Sequence, residues 1–178
     1  MLFRSILGAG ASCATIPNGD KYGKKISAMS GFIEKLGLLD IISRVTLNTK
    51  SDNLEDIYME LDERSKCEDD CKAVKEELEK IIREYMSNYK LPDNPTIYDF
   101  LVMSLTSKDL IATFNWDPLL VQAVGRTMRY TNNVPQVVFL HGNVAVGFCE
   151  KDNIMGNVGM ECRCGKPFKP MKLLFPVK

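Results

Sequence analysis

The 178 residues carry no net charge, because 23 basic and 23 acidic side chains cancel. No overall positive field draws the chain to nucleic acid or to an anionic membrane, and no local basic patch stands in for one. Long apolar runs are missing too. Nothing approaches the roughly 18 consecutive apolar residues of a membrane-spanning helix. Met1-Leu2-Phe3-Arg4 leads into a strand and a glycine loop without the layout of a secretory leader. The expected location is the cytosol (cytoplasmic), where the six cysteines are thiols or metal ligands rather than a disulfide framework. Histidine occurs once, at His141, where the apolar run Val137-Val138-Phe139-Leu140 stops and Gly142 begins. A buried strand ending on a group that titrates near neutral pH is a common seat of acid or base chemistry. A lone histidine there also serves purely structural ends.

What is present suits one globular domain over residues 1–178: 45% of the residues are hydrophobic, enough to bury both faces of a sheet. A short apolar strand over residues 3–7 breaks into Gly8-Ala9-Gly10-Ala11-Ser12, a phosphate-loop signal. A helix is predicted over 24–36, with Ile26, Met29, Phe32, Ile33 and Leu36 in one stripe. Residues 52–89 predict two more, lined by Leu54, Ile57, Tyr58 and Leu61 and then by Val74, Leu78, Ile81, Ile82 and Tyr85. The acidic stretch 63–70 between them reads as a solvated turn. Cys67 and Cys71, four apart on one helix face, lack partners for a closed metal site and read as structural. After Leu91-Pro92-Asp93-Asn94-Pro95, a further helix carries Tyr98, Leu101, Val102 and Leu105.

The chain then changes character. Residues 109–114 form a nearly all-apolar strand, the type expected in a parallel sheet covered on both sides. It ends on Asn115-Trp116-Asp117-Pro118, with Pro118 placed to open a helix running to about residue 128. Asp117 suits a helix cap or a ligand contact. Asn115 has no such structural account, and an amide at the carboxyl end of a buried strand points toward the crevice where open α/β sheets bind ligands. A strand over 136–140 ends on His141-Gly142-Asn143. With parallel strands and right-handed crossovers, all three endings share one sheet edge and line one pocket. A dehydrogenase fingerprint is not met: its sixth position is Cys13, and Ala28-Met29-Ser30 offers no ribose-binding carboxylate.

Three stretches, Gly8-Ala9-Gly10-Ala11-Ser12, Thr113-Phe114-Asn115-Trp116-Asp117-Pro118-Leu119 and Phe139-Leu140-His141-Gly142-Asn143, resemble the sirtuins in order and spacing over nearly the whole chain. The likeness is greater to the sirtuin-like domains of bacterial NAD hydrolases from anti-phage defence systems. It implies an α/β fold: a Rossmann-like parallel sheet with helices on both faces and a helical module inserted over about 24–107. It also implies that Gly8, Ala9, Gly10, Ala11 and Ser12 lie against the NAD phosphates and nearby ribose. Asn115 and Asp117 would then sit by the nicotinamide ribose, with His141 as the base acting on a ribose hydroxyl or a water. The implied activity is that of an NAD+ hydrolase (NADase), a defence effector that cleaves the nicotinamide–ribose bond to give nicotinamide and ADP-ribose. Such effectors often assemble as homo-oligomers. The chemistry fits these residue types. The reaction passes through a cation-like sugar, which must be held rigidly while a nucleophile reaches its exposed face. An amide can orient both a hydroxyl and a water, and an imidazole can take the proton.

Departures from the family narrow the reading. Protein-deacetylating sirtuins follow the glycine loop with Pro-Asp-Phe-Arg, where this chain has Ile16-Pro17-Asn18-Gly19-Asp20-Lys21. They also carry a four-cysteine zinc ribbon, whereas Cys149, Cys162 and Cys164 make three, with no fourth donor evident. The segment 147–168 is therefore read as degenerate, zinc is not expected, and water rather than an acetylated peptide is the expected acceptor. Residues 171–177 resemble the strand and proline after which family members continue into a helix and a glycine-rich strand. The expectation is thus an amino-terminal part of a longer protein, or a truncated relative, lacking the adenosine side of the pocket. A non-catalytic NAD- or ADP-ribose-binding module is the alternative, and a protein deacylase a more distant one.

Overall fold

The structure, a computed structural model, describes residues 2–26 and 31–175. Arg4–Leu7 forms β1 and Ala9–Thr15 forms α1, followed by α2 (Phe32–Lys35), α3 (Leu39–Ile42), α4 (Leu54–Arg64) and α5 (Asp69–Ser87). Next come α6 (Ile97–Ser104), β2 (Leu110–Thr113), α7 (Leu119–Thr127) and β3 (Gln136–Phe139). The last elements are β4 (Val146–Cys149), β5 (Ile154–Asn157) and β6 (Lys169–Pro170). The chain divides into two compact units, Met1–Ile26 with Met86–Leu173, and Ser27–Tyr85 with Leu174–Lys178.

In the first unit β1, β2 and β3 form a parallel sheet in that order, with Arg4, Leu110 and Gln136 in register. Parallel neighbours need crossovers, which is why helices separate these strands in sequence. Asp109 fixes the start of the sheet. Its carboxylate accepts from Phe3 N at 2.8 Å and from the Thr106 N–H and hydroxyl, each at 2.8 Å. These donors favour the ionised form and hold its pKa below the ordinary carboxylate value. Side chains alternate across the strands. Ile111 and Thr113 are buried on one face, whereas Ile6 is 75% and Val138 44% exposed on the other. The expectation of helices on both faces is therefore corrected: among the described residues one face is covered. An all-apolar central strand reads the same whether one face or two are buried, and the mixed flanking strands, with Arg4 and Gln136 on the open face, mark the difference.

The same unit holds a second sheet, antiparallel, in the order β5-β4-β6. Its strands were not foreseen within the cysteine segment. Gly147 and Gly156 have no side chain to contribute to a strand pattern. They are there for space: a Cβ on Gly156 would lie 2.4 Å from the Phe168 ring and one on Gly147 2.8 Å from the Lys169 carbonyl.

The second unit is helical. The predicted stripes of α4 and α5 are its core: Leu54, Ile57, Tyr58 and Leu61 are buried, as are Val74, Leu78 and Ile82. Asn53 caps α4, its side chain accepting from Glu55 N at 2.9 Å. Lys75 pairs with Asp62 at 2.8 Å. The helix predicted over 24–36 is not continuous. Lys24–Ile26 are not helical, and α2 is a single turn between Gly31 and Gly37, whose φ angles of 75° and 63° interrupt a right-handed helix. Met29 of that stripe lies outside the described residues, as do Pro176 and Val177 of the terminal segment. Cys67 sits in the turn before α5, exposed, and Cys71 in its first turn, buried, so the two do not share a helix face. α6, within the expected insertion over 24–107, is grouped with the first unit.

Candidate functional site

The parallel strands bring their carboxyl ends to one edge, as the three motifs require. β1 opens directly into α1, with Gly8 as its N-cap. Gly8, Ala9 and Gly10 are exposed and Ala11 half-buried. Neither glycine is demanded by the fold. Gly8 has a φ of −118°, and a Cβ at either position would meet nothing within 4 Å.

Ser12 is turned inward. It is fully buried, and its hydroxyl donates to Asp117 Oδ2 at 2.7 Å. Asn115, just beyond β2, reaches across the sheet end. Its Nδ2 donates to the Gly8 carbonyl at 2.9 Å and to Ser12 Oγ at 2.8 Å, and lies 3.2 Å from the Tyr98 hydroxyl. With its nitrogen so committed, Asn115 Oδ1 has no hydrogen-bond partner among the described residues. The residue is half-buried, so this oxygen is an oriented acceptor.

Asp117 lies one residue ahead of the N-cap of α7, which is Pro118 rather than the expected Asp117. Its Oδ1 accepts from Leu119 N at 3.1 Å at the start of α7, while its Oδ2 receives the Ser12 proton. Burial pushes its carboxyl pKa up, against these two donors, which favour the ionised form. Its side chain is committed inside the protein, so any part it plays in a site runs through Ser12.

β3 delivers His141 and Asn143. The Asn143 amide is buried and ties the two strand ends together, donating to the Asp117 carbonyl at 2.7 Å and the Asn115 carbonyl at 3.3 Å. Gly142 is required between them. Its φ is 77°, and a Cβ there would lie 2.6 Å from the Lys172 carbonyl. The half-buried His141 ring meets Phe114 edge to face, with centroids 5.0 Å apart. Neither ring nitrogen has a hydrogen-bond partner among the described residues.

Tyr98 was read in the sequence only as part of a helix stripe. The structure sends its buried hydroxyl into this cluster, 3.0 Å from Ser12 Oγ. Nothing in the 3.6-residue pattern separates a tyrosine that fills the core from one that also presents its hydroxyl to a neighbouring element. A cleft of about 480 Å³ lies further along, lined by residues 14–21 and 92–97. Gly8, Gly10, Asn115, Asp117 and His141 are not among its lining residues.

The cysteine segment gains a donor. Cys149, Asp152, Cys162 and Cys164 place their ligand atoms within 4.8 Å of one another. Cys162 donates to Asp152 at 3.0 Å, which pushes the thiol pKa up to about 12, and Cys149 and Cys164 are 3.5 Å apart. Asp152, the third residue after Cys149, places a carboxylate beside the three sulfurs, and the spacing Cys-x-x-Asp is its signal in the sequence. Three sulfurs and a carboxylate suit a tetrahedral borderline-soft cation such as zinc, and binding would displace the proton now shared with Asp152.

No protein-family model matches the chain, and no curated protein matches it.

Proposed function

We propose that the chain is a sirtuin-like NAD+ glycohydrolase, with Asn115 and His141 as its catalytic residues. The observation that carries this reading is the fastened amide: Asn115 Nδ2 is bound to Gly8 and Ser12, leaving Oδ1 as a fixed acceptor beside the glycine loop. Such an acceptor orients a ribose hydroxyl or an attacking water without reorganisation when the sugar becomes cationic. Nicotinamide leaves with the bonding electron pair, water adds to the anomeric carbon, and His141 takes the released proton. The products are nicotinamide, ADP-ribose and a proton. Open space at the Gly8 and Gly10 Cβ positions supports a close approach of the dinucleotide to the backbone.

Incubation with NAD+ tests the reading through nicotinamide release. His141→Ala and Asn115→Ala are each expected to lower turnover by about a hundredfold or more. Turnover undiminished in both variants would overturn the residue assignment. Binding of NAD+ or ADP-ribose without turnover in the parent chain would favour a non-catalytic module, and release dependent on an acetylated peptide would favour a deacylase.

A further inference from the structure

We propose that Tyr98 is a positioning residue that holds the Asn115 amide in its productive orientation, an inference that rests on the catalytic reading of Asn115. The protons in the cluster leave little freedom. Ser12 has one, and it goes to Asp117 Oδ2 at 2.7 Å. Ser12 Oγ must then accept from its other neighbours, so the Tyr98 hydroxyl at 3.0 Å donates to it and the Asn115 amide at 2.8 Å does the same. The amide has two protons for three acceptors, so the Tyr98 oxygen at 3.2 Å shares with Ser12 Oγ the proton that points their way, while the other goes to the Gly8 carbonyl. The chain of donors runs from Tyr98 through Ser12 to the Asp117 carboxylate, and Asn115 is clamped by two of its members and by the Gly8 carbonyl. If the amide turned over, its oxygen would face three groups whose acceptor atoms are already arranged for a donor. The clamp therefore selects the rotamer that exposes Oδ1.

Tyr98 can serve this purpose because its helix is fixed independently. Thr96 and Asp99 form a capping box at the start of α6, and Asp99 is reached by Arg126 of α7 at 3.3 Å. The hydroxyl is thus delivered by a braced helix end.

The experiment uses the Tyr98→Phe variant, which keeps the ring and removes one member of the clamp, leaving the Ser12 and Gly8 contacts. Nicotinamide release is expected to lose about tenfold in kcat with KM little changed, since ground-state binding is not what the clamp provides. The Asn115 side-chain amide is followed in parallel by NMR, its signals identified by their loss in Asn115→Asp. The parent chain is expected to show slowly exchanging amide protons, and Tyr98→Phe faster exchange. Val102→Ala, a buried position one turn further along the same helix that makes no side-chain hydrogen bond to the cluster, controls for loosened packing and should lower stability without altering those signals. Unchanged exchange and kcat in Tyr98→Phe, or the same exchange change in Val102→Ala, would overturn the proposal. A parent chain that releases no nicotinamide would sink the catalytic reading, while the amide signals would still decide whether Tyr98 holds Asn115.

Discussion

The glycine loop and the cysteine hairpin use the same residue for opposite reasons. In the hairpin, Gly147 and Gly156 lie under Phe168, where a Cβ would run into the ring or its backbone. Phe168 itself closes a small cluster with Cys149 and Cys162, with Ile154 and Cys164 packed against it. At the end of β1, Gly8 and Gly10 face open space, so packing gives no reason for glycine. A glycine inside a helix costs roughly 0.5–1 kcal/mol relative to alanine, and Gly10 incurs that cost within α1. Gly8 also serves as the N-cap of α1, where glycine is tolerated well, whereas the open space at Gly10 fits the proposed approach of a ligand to the backbone.

Alanine substitutions break this comparison cleanly. Gly10→Ala is expected to raise thermal stability slightly while reducing nicotinamide release by about a hundredfold, because the new methyl group displaces a dinucleotide held against the backbone. Stability and turnover would move in opposite directions. A variant that gained stability and kept full turnover would remove the glycine loop from the site. Gly156→Ala should do the reverse. Forcing a methyl group into the Phe168 ring is expected to cost about 1–3 kcal/mol, read as a lower denaturation midpoint and as faster thiol labelling of Cys149, Cys162 and Cys164. Turnover by folded molecules should hold.

The smallest expected effect sharpens the hairpin side alone. With four donor atoms within 4.8 Å, cobalt(II) added to the reduced chain is expected to give a thiolate-to-metal charge-transfer band, and zinc to abolish it by competition. Asp152→Ala should weaken cobalt binding by about tenfold or more. A parent chain without the band, or a variant that binds equally well, would return the cluster to plain buried thiols.

Much of the framework was legible because it follows from periodicity. The stripes of Leu54 to Leu61 and Val74 to Ile82, the apolar strand before Asn115 and the one before His141 all formed where the pattern put them. The failures share a cause. Phe32, Ile33 and Leu36 have helical spacing, but Gly31 and Gly37 adopt positive φ and cut the helix to one turn. Four-residue strands with central glycines, such as Ile154–Asn157, carry too few side chains to show alternation. At the site, residue types at strand ends pointed to Asn115 and His141. The inward commitment of Ser12 and the reach of Tyr98 depend on what faces them from distant segments, and no local pattern encodes that. The sequence offers Asp117 as the helix cap, whereas the N-cap of α7 falls on Pro118 and Asp117 accepts from Leu119 N from one residue further out.

The bond from Asn115 to the Gly8 carbonyl joins residues 107 positions apart. Closing a loop of that size comes late and contributes to slow folding, whereas α4 and α5 meet through near neighbours in the chain. The clamp on Asn115 is therefore expected to form after the α4–α5 contacts. Until β1 pairs with β2, the glycine loop has no asparagine beside it. A molecule caught partway through folding is expected to carry a finished helical unit without the paired strand ends, and under the proposed activity the onset of turnover during refolding should report the closure of the parallel sheet.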